Sequence, residues 1–280
     1  MGASDARRSL TLRYPATCSL CGCALPRGTK AWWDKEAKQA SCLVCGSGSE
    51  LALQLAGTAG ASASRKYGRL RDRREREVKG VLGDTLGSAF LFFKDEPQST
   101  RAWQTGAAGE ERLGRFFANE LPDSAVVLHD RRIPGTRANI DHVVVAASGI
   151  WVVDAKLYRG KVECRTVGSF WKPENRVFVG GRDRTKLVLG MGRQVEAVRA
   201  ALSADPLAAD VAVTPAVCFV ASEWGLFAKP FDLHAVAVIC PQKLAERIAA
   251  PGRLTATAVT RLASRIAVAL PPAVKEKVAP

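Results

Sequence analysis

The sequence predicts an α/β domain that follows a small cysteine-rich module and a basic helical linker. Two Cys-x-x-Cys-Gly motifs lie within residues 16–48, and a run of charged residues covers residues 65–79. From residue 100 onward, strand-like and helix-like patterns alternate, which is typical of α/β domains. We therefore divide the chain into a cysteine module, a linker, an α/β domain and a C-terminal helix with a tail, at residues 16–48, 49–99, 100–245 and 246–280.

The composition is that of a globular protein with a strong excess of positive charge. Of the 280 residues, 47% are hydrophobic and 24% are charged, which excludes a wholly disordered chain. Lys and Arg number 41 against 27 Asp and Glu, and the formal net charge is +14. This excess favours polyanionic partners, nucleic acid first and an acidic membrane surface second. Because no apolar stretch is long enough to span a membrane and no signal peptide is evident, we expect a cytoplasmic protein with reduced thiols.

The two cysteine motifs predict a structural zinc site. Cys18 and Cys21 form the first pair and Cys42 and Cys45 the second, with twenty residues between the pairs. Each tight turn brings two thiolates onto one ion, so the two pairs supply four sulfurs in the spacing of a zinc ribbon. Disulfides or free thiols are the alternatives, and Cys23 is a competing thiol. A four-thiolate site has no free coordination position on the zinc ion, which predicts a role in folding. Contact of this module with nucleic acid or protein is an alternative that the sequence does not decide.

The linker and the α/β domain differ in their patterns. The mixed charges of residues 65–79 predict an exposed helix, and residues 95–100 (DEPQST) mark a boundary. We expect strands at residues 124–129, 139–146, 149–156, 160–166, 175–179, 215–221 and 234–240, and helices at 107–119, 190–203 and 256–270.

Residues 140–156 predict a hairpin that carries two opposed carboxylates. Two apolar strands flank a turn near residues 147–149. Antiparallel pairing about the midpoint between Ala147 and Ser148 places Asp141 opposite Asp154, with Cβ atoms about 5 Å apart. The two carboxylates repel each other, and a divalent cation such as Mg²⁺ or Mn²⁺ removes that repulsion. The structural alternative is a buried Asp–Lys pair with a second Asp at a strand end.

Lys156 adds a cation to the same face of the hairpin. It follows Asp154 by two residues, so both side chains project from one face of the strand. An ammonium beside a metal-bound water can orient that water and stabilise negative charge on a phosphate. Asp141, Asp154 and Lys156 therefore form a set suited to metal-assisted phosphodiester hydrolysis. His142 points to the opposite face, where we expect a packed histidine rather than a base.

Four segments resemble a known family. Residues 106–110 (GAAGE), 128–130 (LHD), 139–142 (NIDH) and 149–156 (GIWVVDAK) resemble motifs of the NERD (nuclease-related) domain, a branch of the PD-(D/E)XK nuclease superfamily. The resemblance covers about residues 100–240 and includes Tyr158 and Gly160. It implies a restriction-endonuclease-like core, in which helices flank a mixed central sheet.

The resemblance also implies roles for individual residues. Asp141 and Asp154 match the metal-binding acids, and Lys156 matches the catalytic lysine. Glu110 matches a helix glutamate that reaches the metal directly or through water. The structural alternative for Glu110 is that a carboxylate at a helix start interacts favourably with the helix dipole.

Two further assignments belong to the same implied site. Gln194 loosely matches a polar residue that some members place near the active site, and the simpler alternative is a solvated helix residue. The Ala155 carbonyl is a further candidate ligand for the catalytic Mg²⁺ or Mn²⁺.

These observations predict a metal-dependent nuclease acting on nucleic acid, with DNA favoured by the resemblance. Between Arg131 and Arg199, fourteen basic residues oppose six acidic ones, which concentrates positive charge around the motif. The first alternative is a non-catalytic nucleic-acid-binding protein that uses the zinc ribbon and the basic surface. The second is a membrane-surface adaptor that uses residues 65–79, which lack a wide apolar face.

Overall fold

Five short strands lie within residues 7–19 and 24–42, which are the described part of the cysteine module and of the segment before it. A computed structural model of the chain describes residues 7–19, 24–42, 56–82, 98–169, 171–224 and 229–273. The strands are β1 (Arg7–Thr11), β2 (Ala16–Thr17), β3 (Ala24–Leu25), β4 (Lys30–Asp34) and β5 (Gln39–Cys42). Strands β1, β4 and β5 form an antiparallel sheet, and β2 pairs with β3. Their core is small, and it includes Cys18 among its buried residues.

Two long helices follow. The basic helix predicted over residues 65–79 forms as α1 (Ala61–Leu82), which packs against α2 (Gln98–Glu120). Helix α2 begins at Gln98, nine residues before the predicted start at 107. It contains Gly106 and Gly109 in its interior. Glycine disfavours helix interiors, but a Cβ at Gly109 would lie only 3.0 Å from the Leu157 Cβ. Close packing of α2 on the sheet therefore outweighs the low helix propensity.

A six-stranded mixed sheet forms the centre of the described α/β region. The strands from this point are β6 (Val126–Arg132), β7 (Asn139–Ala146), β8 (Gly149–Lys156), β9 (Val162–Ser169), β10 (Lys172–Val179), β11 (Arg182–Asp183), β12 (Val213–Phe219), β13 (Phe231–Leu233) and β14 (Val236–Ile239). The order in the sheet is β13-β14-β12-β8-β7-β6. Strands β8, β12 and β14 run parallel, whereas β6, β7 and β8 form antiparallel neighbours.

Helices cover both faces of this sheet. The later helices are α3 (Thr185–Leu189), α4 (Met191–Leu202), α5 (Pro241–Ala249) and α6 (Ala256–Ala269). Helices α4 and α6 pack on one face, and α2 and α5 pack on the other. Strands β7 and β8 are therefore buried on both faces, which explains their continuous apolar runs. The helix of the predicted C-terminal segment, α6, contributes to the same core as the sheet.

Strands β9 and β10 form a separate ribbon with β11. Both strands extend beyond the predicted ranges of 160–166 and 175–179, because their far halves are exposed on both faces and carry no apolar pattern. Trp171, in the turn between them, is 89% exposed. Among the described residues, no helix is both long enough and apolar enough to cross a membrane.

Candidate active site

The β7–β8 hairpin has the predicted register. His142 lies opposite Val153, and Ala146 lies opposite Gly149. Continuing that register by one position brings Asp141 to Asp154 at the open end of the hairpin. Their side chains are 15% and 12% exposed, respectively. The hairpin thus carries both carboxylates to one end of the central sheet.

The Lys156 ammonium lies where the candidate metal ligands of the hairpin converge. Its Nζ is 2.8 Å from Asp154 Oδ1 and 3.9 Å from Asp141 Oδ2. It also donates to the Ala155 carbonyl oxygen at 3.3 Å. The Ala155 N–H donates to Asp141 Oδ2 at 2.8 Å, which fixes that carboxylate. The Lys156 ammonium therefore places a positive charge where the sequence analysis predicted a divalent cation.

Glu110 of α2 belongs electrostatically to the same cluster. Burial raises its pKa to about 7, and the charges of Asp130 and Asp154 add to that effect, while Lys156 opposes it. Burial and then the charge of Asp154 raise the pKa of Asp141 well above its usual range. Burial lowers the pKa of Lys156, but the nearby carboxylates outweigh burial and raise it. The site is therefore crowded with carboxylates that stay ionised only with a cation nearby.

The donor set fits a hard divalent cation in its chemistry. Asp141, Asp154 and Glu110 offer carboxylate oxygens, which Mg²⁺ and Mn²⁺ prefer, and their mutual repulsion is relieved by positive charge. In the described part of the chain, no three His, Cys, Asp or Glu side chains are arranged closely enough to hold a metal ion as they stand. The Lys156 ammonium is within 3.9 Å of both aspartates.

Asp130 is a site residue that the sequence analysis missed. It lies in β6 next to the hairpin, with a positive φ of 50°, and is only 2% exposed. Its carboxylate accepts hydrogen bonds from the Ser62 N–H and hydroxyl and from the Asn139 amide. It also raises the pKa of Glu110. Its place in the LHD motif was the available signal, but its partners lie far away in sequence.

The two histidines near the hairpin have a structural role. As expected, His142 lies on the opposite face from Asp141, where its ring packs edge-on against Phe117. Its Nδ1 is 2.8 Å from the Nδ1 of His129. Burial lowers the pKa of His129 to about 4, and that of His142 lies well below its usual range for the same reason. Two neutral rings that share one hydrogen bond suit packing rather than proton transfer.

Gln194 lies on α4 and contacts its own helix. Its Nε2 is 3.7 Å from the Met191 sulfur, and its Oε1 is buried without a hydrogen-bond partner in the described structure. No hydrogen bond joins it to the carboxylate cluster among the described residues. Its predicted place at the active site stays a prediction.

The cysteine module brings one residue of each pair together. The Cys42 N–H donates to the Cys18 sulfur at 3.2 Å, and Cys18 is buried. Cys21 and Cys45 lie outside the described residues.

The family model of the nuclease-related domain, NERD, matches residues 105–220. The match runs from α2 to the residue after β12 and contains Glu110, Asp141, Asp154 and Lys156. No curated protein and no solved structure matches the chain. The α/β region therefore contains a nuclease-related domain, and the cluster of Asp141, Asp154 and Lys156 lies within the matched segment.

Proposed function

We propose that this protein is a metal-dependent nuclease that hydrolyses phosphodiester bonds in DNA. The proposal rests chiefly on the convergence of Asp141, Asp154 and the Ala155 carbonyl on the Lys156 ammonium, at the open end of a hairpin in a nuclease-related domain. The Asp…Asp-x-Lys arrangement on a mixed sheet also leads us to place the domain in the PD-(D/E)XK superfamily.

The same residues would hold the catalytic ion and the substrate phosphate. Asp141, Asp154 and the Ala155 carbonyl would bind Mg²⁺ or Mn²⁺, with Glu110 bound directly or through water. The ion supplies Lewis-acid activation of water and offsets negative charge on the phosphate. Lys156 has a flexible stem, so its ammonium can leave the carboxylates for a phosphate oxygen and orient the attacking water.

A basic helix begins next to the strand beside this cluster and favours a nucleic-acid substrate. Residues 65–79 of α1 contain eight basic and three acidic side chains. The Ser62–Asp130 hydrogen bonds attach the start of this helix to β6, beside the hairpin. A helix with such an excess of basic side chains is suited to the phosphate backbone, and its contribution to affinity falls as salt rises.

We also propose that the cysteine module binds one structural zinc ion through Cys18, Cys21, Cys42 and Cys45. The Cys42 N–H to Cys18 sulfur contact supports this, since it joins the two halves of the motif. Among the described residues of this region, the hydrophobic cluster contains five buried residues, so a metal ion would add stability to a small core.

A cleavage assay tests the nuclease proposal. Wild-type protein is incubated with labelled DNA and RNA, single- and double-stranded, in the presence of Mg²⁺ or Mn²⁺. We expect DNA cleavage that falls by roughly 100-fold or more in Asp154→Asn and Lys156→Ala, as when charge-stabilising groups are lost. The exposed residues Asp123 and Lys243 provide matched controls, Asp123→Asn and Lys243→Ala, which should retain activity.

Two outcomes would contradict the proposal. Cleavage of RNA alone would contradict the choice of DNA. Binding without cleavage of any substrate, with either metal, would favour the non-catalytic nucleic-acid-binding protein instead.

A further inference from the structure

A cavity of about 800 Å³ lies between α2 and the carboxyl ends of β12 and β14. Strands β8, β12 and β14 are parallel, so their carboxyl ends meet at one edge of the sheet. The lining includes Arg112, Arg115 and Phe116 of α2, together with Phe219 and Ser222 at the end of β12. The cavity therefore opens at the same edge of the sheet as the end of β8.

Hydrogen bonds join the cavity wall to the strand that carries the cluster. Phe219 pairs with Lys156 in the parallel register, and the Val220 N–H donates to the Lys156 carbonyl oxygen at 2.9 Å. The Ser222 hydroxyl donates to the Tyr158 carbonyl oxygen at 2.7 Å. The opposite wall is α2, on which Glu110 precedes Arg112 by two residues. Both walls of the cavity are thus continuous with elements of the proposed active site.

The charged side chains that line the cavity are both basic. Arg112 and Arg115 are three residues apart on α2, so they share one helix face. Within the described residues, neither guanidinium has an ion-pair or hydrogen-bond partner, and no Asp or Glu lines the cavity. Two uncompensated guanidinium groups in one concave site favour an anion.

Aromatic rings accompany the two arginines. Phe116 and Trp224, which are partly exposed, line the same cavity, whereas Phe219 also lines it but is buried. Guanidinium groups bind phosphate oxygens with directed hydrogen bonds, and aromatic rings present flat surface to a base or sugar. The combination matches a nucleotide unit better than an inorganic anion, which would use the charges alone.

We infer that this cavity binds a phosphate group of the nucleic-acid strand through Arg112 and Arg115, next to the bond that is cleaved. The inference rests on the proposed function for its substrate class. The phosphate is either the terminal phosphate of a strand or an internal phosphodiester, since both present the same oxygens to a guanidinium. In either case the strand is anchored on the α2 side of Lys156.

Binding to short single-stranded DNA tests this inference. The full chain, without added Mg²⁺ or Mn²⁺, is titrated into a strand labelled at its 3′ end that carries either a 5′-phosphate or a 5′-hydroxyl, and fluorescence anisotropy reports affinity. The variants are Arg112→Gln and Arg115→Gln, both at exposed positions. Arg253→Gln is the matched control, because Arg253 is exposed and follows Gly252, which packs on Ala147 at the opposite end of the hairpin.

We expect each of the two cavity variants to weaken binding about tenfold, as for a lost charge-assisted hydrogen bond. Each should also reduce the salt dependence of log K by about 0.7, the slope for one phosphate contact on a single strand. Arg253→Gln should bind like the wild type. A loss confined to the 5′-phosphorylated strand assigns the terminal phosphate, and an equal loss on both strands assigns an internal diester.

The results separate this inference from the nuclease proposal. Equal affinities of all three variants and the wild type, or a wild type that binds neither strand, would overturn the cavity assignment. If DNA is still cleaved in that case, the nuclease proposal stands alone. If the arginine variants lose binding but the wild type cleaves nothing, the cavity assignment stands and the nuclease proposal fails.

Discussion

Asp130 accepts two hydrogen bonds from Ser62, one from its backbone N–H at 2.8 Å and one from its hydroxyl at 2.7 Å. Ser62 lies in the first turn of α1, where backbone N–H groups have no partner within the helix. A carboxylate from β6 thus caps the basic helix and complements its dipole. The start of α1 is therefore fixed to the strand beside the proposed active site.

The cap should contribute measurably to stability. Asp130→Ala leaves the Ser62 N–H and the Asn139 amide without their acceptor, and we expect the free energy of unfolding to fall by about 3 kcal/mol. Asp130→Asn should cost about half as much, because Asn keeps one acceptor oxygen and tolerates a positive φ. Denaturant titration measures both. The exposed Asp123→Ala is the control, and equal losses in all three variants would contradict the cap.

Arg131 is fully buried and holds the end of α6. Its Nε donates to the Leu270 carbonyl oxygen and its Nη2 to the Ala267 carbonyl oxygen, both at 2.6 Å. Arg131→Met keeps the aliphatic stem but leaves these carbonyls without donors, so we expect a loss of about 2–3 kcal/mol in the free energy of unfolding. Arg132→Met, at the exposed neighbouring position, should cost little. A loss no larger than that of the control would show that the two bonds contribute nothing.

The buried histidine pair predicts acid sensitivity. Burial lowers the pKa of His129 from 6.5 to about 4, so between these values the unfolded chain binds a proton that the folded chain excludes. Stability is therefore full above about pH 6.5 and falls as the pH falls towards 4, by about 2 kcal/mol between pH 7 and pH 5 from His129 alone. Thermal melts across this range should show it.

A matched pair of variants isolates that effect. His129→Gln keeps a hydrogen-bonding partner for His142 but no longer titrates, so its stability should depend less on pH. His234→Asn changes the one exposed histidine, at a position with a positive φ of 49° that Asn tolerates. It should keep the wild-type pH dependence. An unchanged slope in His129→Gln would argue against the assignment.

The hairpin could be predicted from the sequence because its signals are local. Strands β7 and β8 have the predicted bounds, 139–146 and 149–156, and the register follows from one short turn. Alternation then places Asp154 and Lys156 on one face without further information. Only short-range geometry is needed for this part of the candidate site.

The remaining contacts depend on packing between distant segments. Ser62 and Asp130 are 68 residues apart in the sequence, and Arg131 and Leu270 are 139 residues apart. No local sequence pattern therefore predicts either contact. The ammonium of Lys156 contacts both aspartates, because burial makes uncompensated charges costly. Strand alternation alone does not predict these contacts. The arginine-lined cavity likewise arises only when α2 packs beside β12.

The cysteine module should contain one zinc ion per chain. Cys42→Ser removes one thiolate and should release the ion, while the α/β domain stays folded because its core is separate. Elemental analysis of protein purified without chelators, under reducing conditions, measures the metal content. Cys164→Ser, at an exposed position in β9, is the control and should retain zinc. Wild-type protein without zinc would exclude this site.

The carboxylate cluster should respond to divalent metal. An ion that binds the folded site and not the unfolded chain stabilises the protein by mass action, by about 2.7 kcal/mol at 100 times its dissociation constant. Asp154→Asn should lose this response together with cleavage, because it removes one ligand. Its stability without metal should change little, since the repulsion from Asp141 and the ion pair with Lys156 disappear together. Thermal melts with and without Mg²⁺ or Mn²⁺ measure the response.

Lys156 and Glu110 distinguish a metal site from a simple ion pair. The Lys156 ammonium competes with a metal for Asp154 and Asp141, so Lys156→Met should respond to Mg²⁺ more strongly than the wild type while losing cleavage. Under the proposed function, Glu110→Gln should weaken the response less than Asp154→Asn, because Glu110 is proposed to bind the ion directly or through water from a different element, α2. Lys243→Met, at an exposed position, should melt like the wild type in all conditions. If neither the wild type nor Lys156→Met responds to millimolar Mg²⁺ or Mn²⁺, the aspartates and Lys156 form a structural ion pair, and the cluster has no metal to activate water.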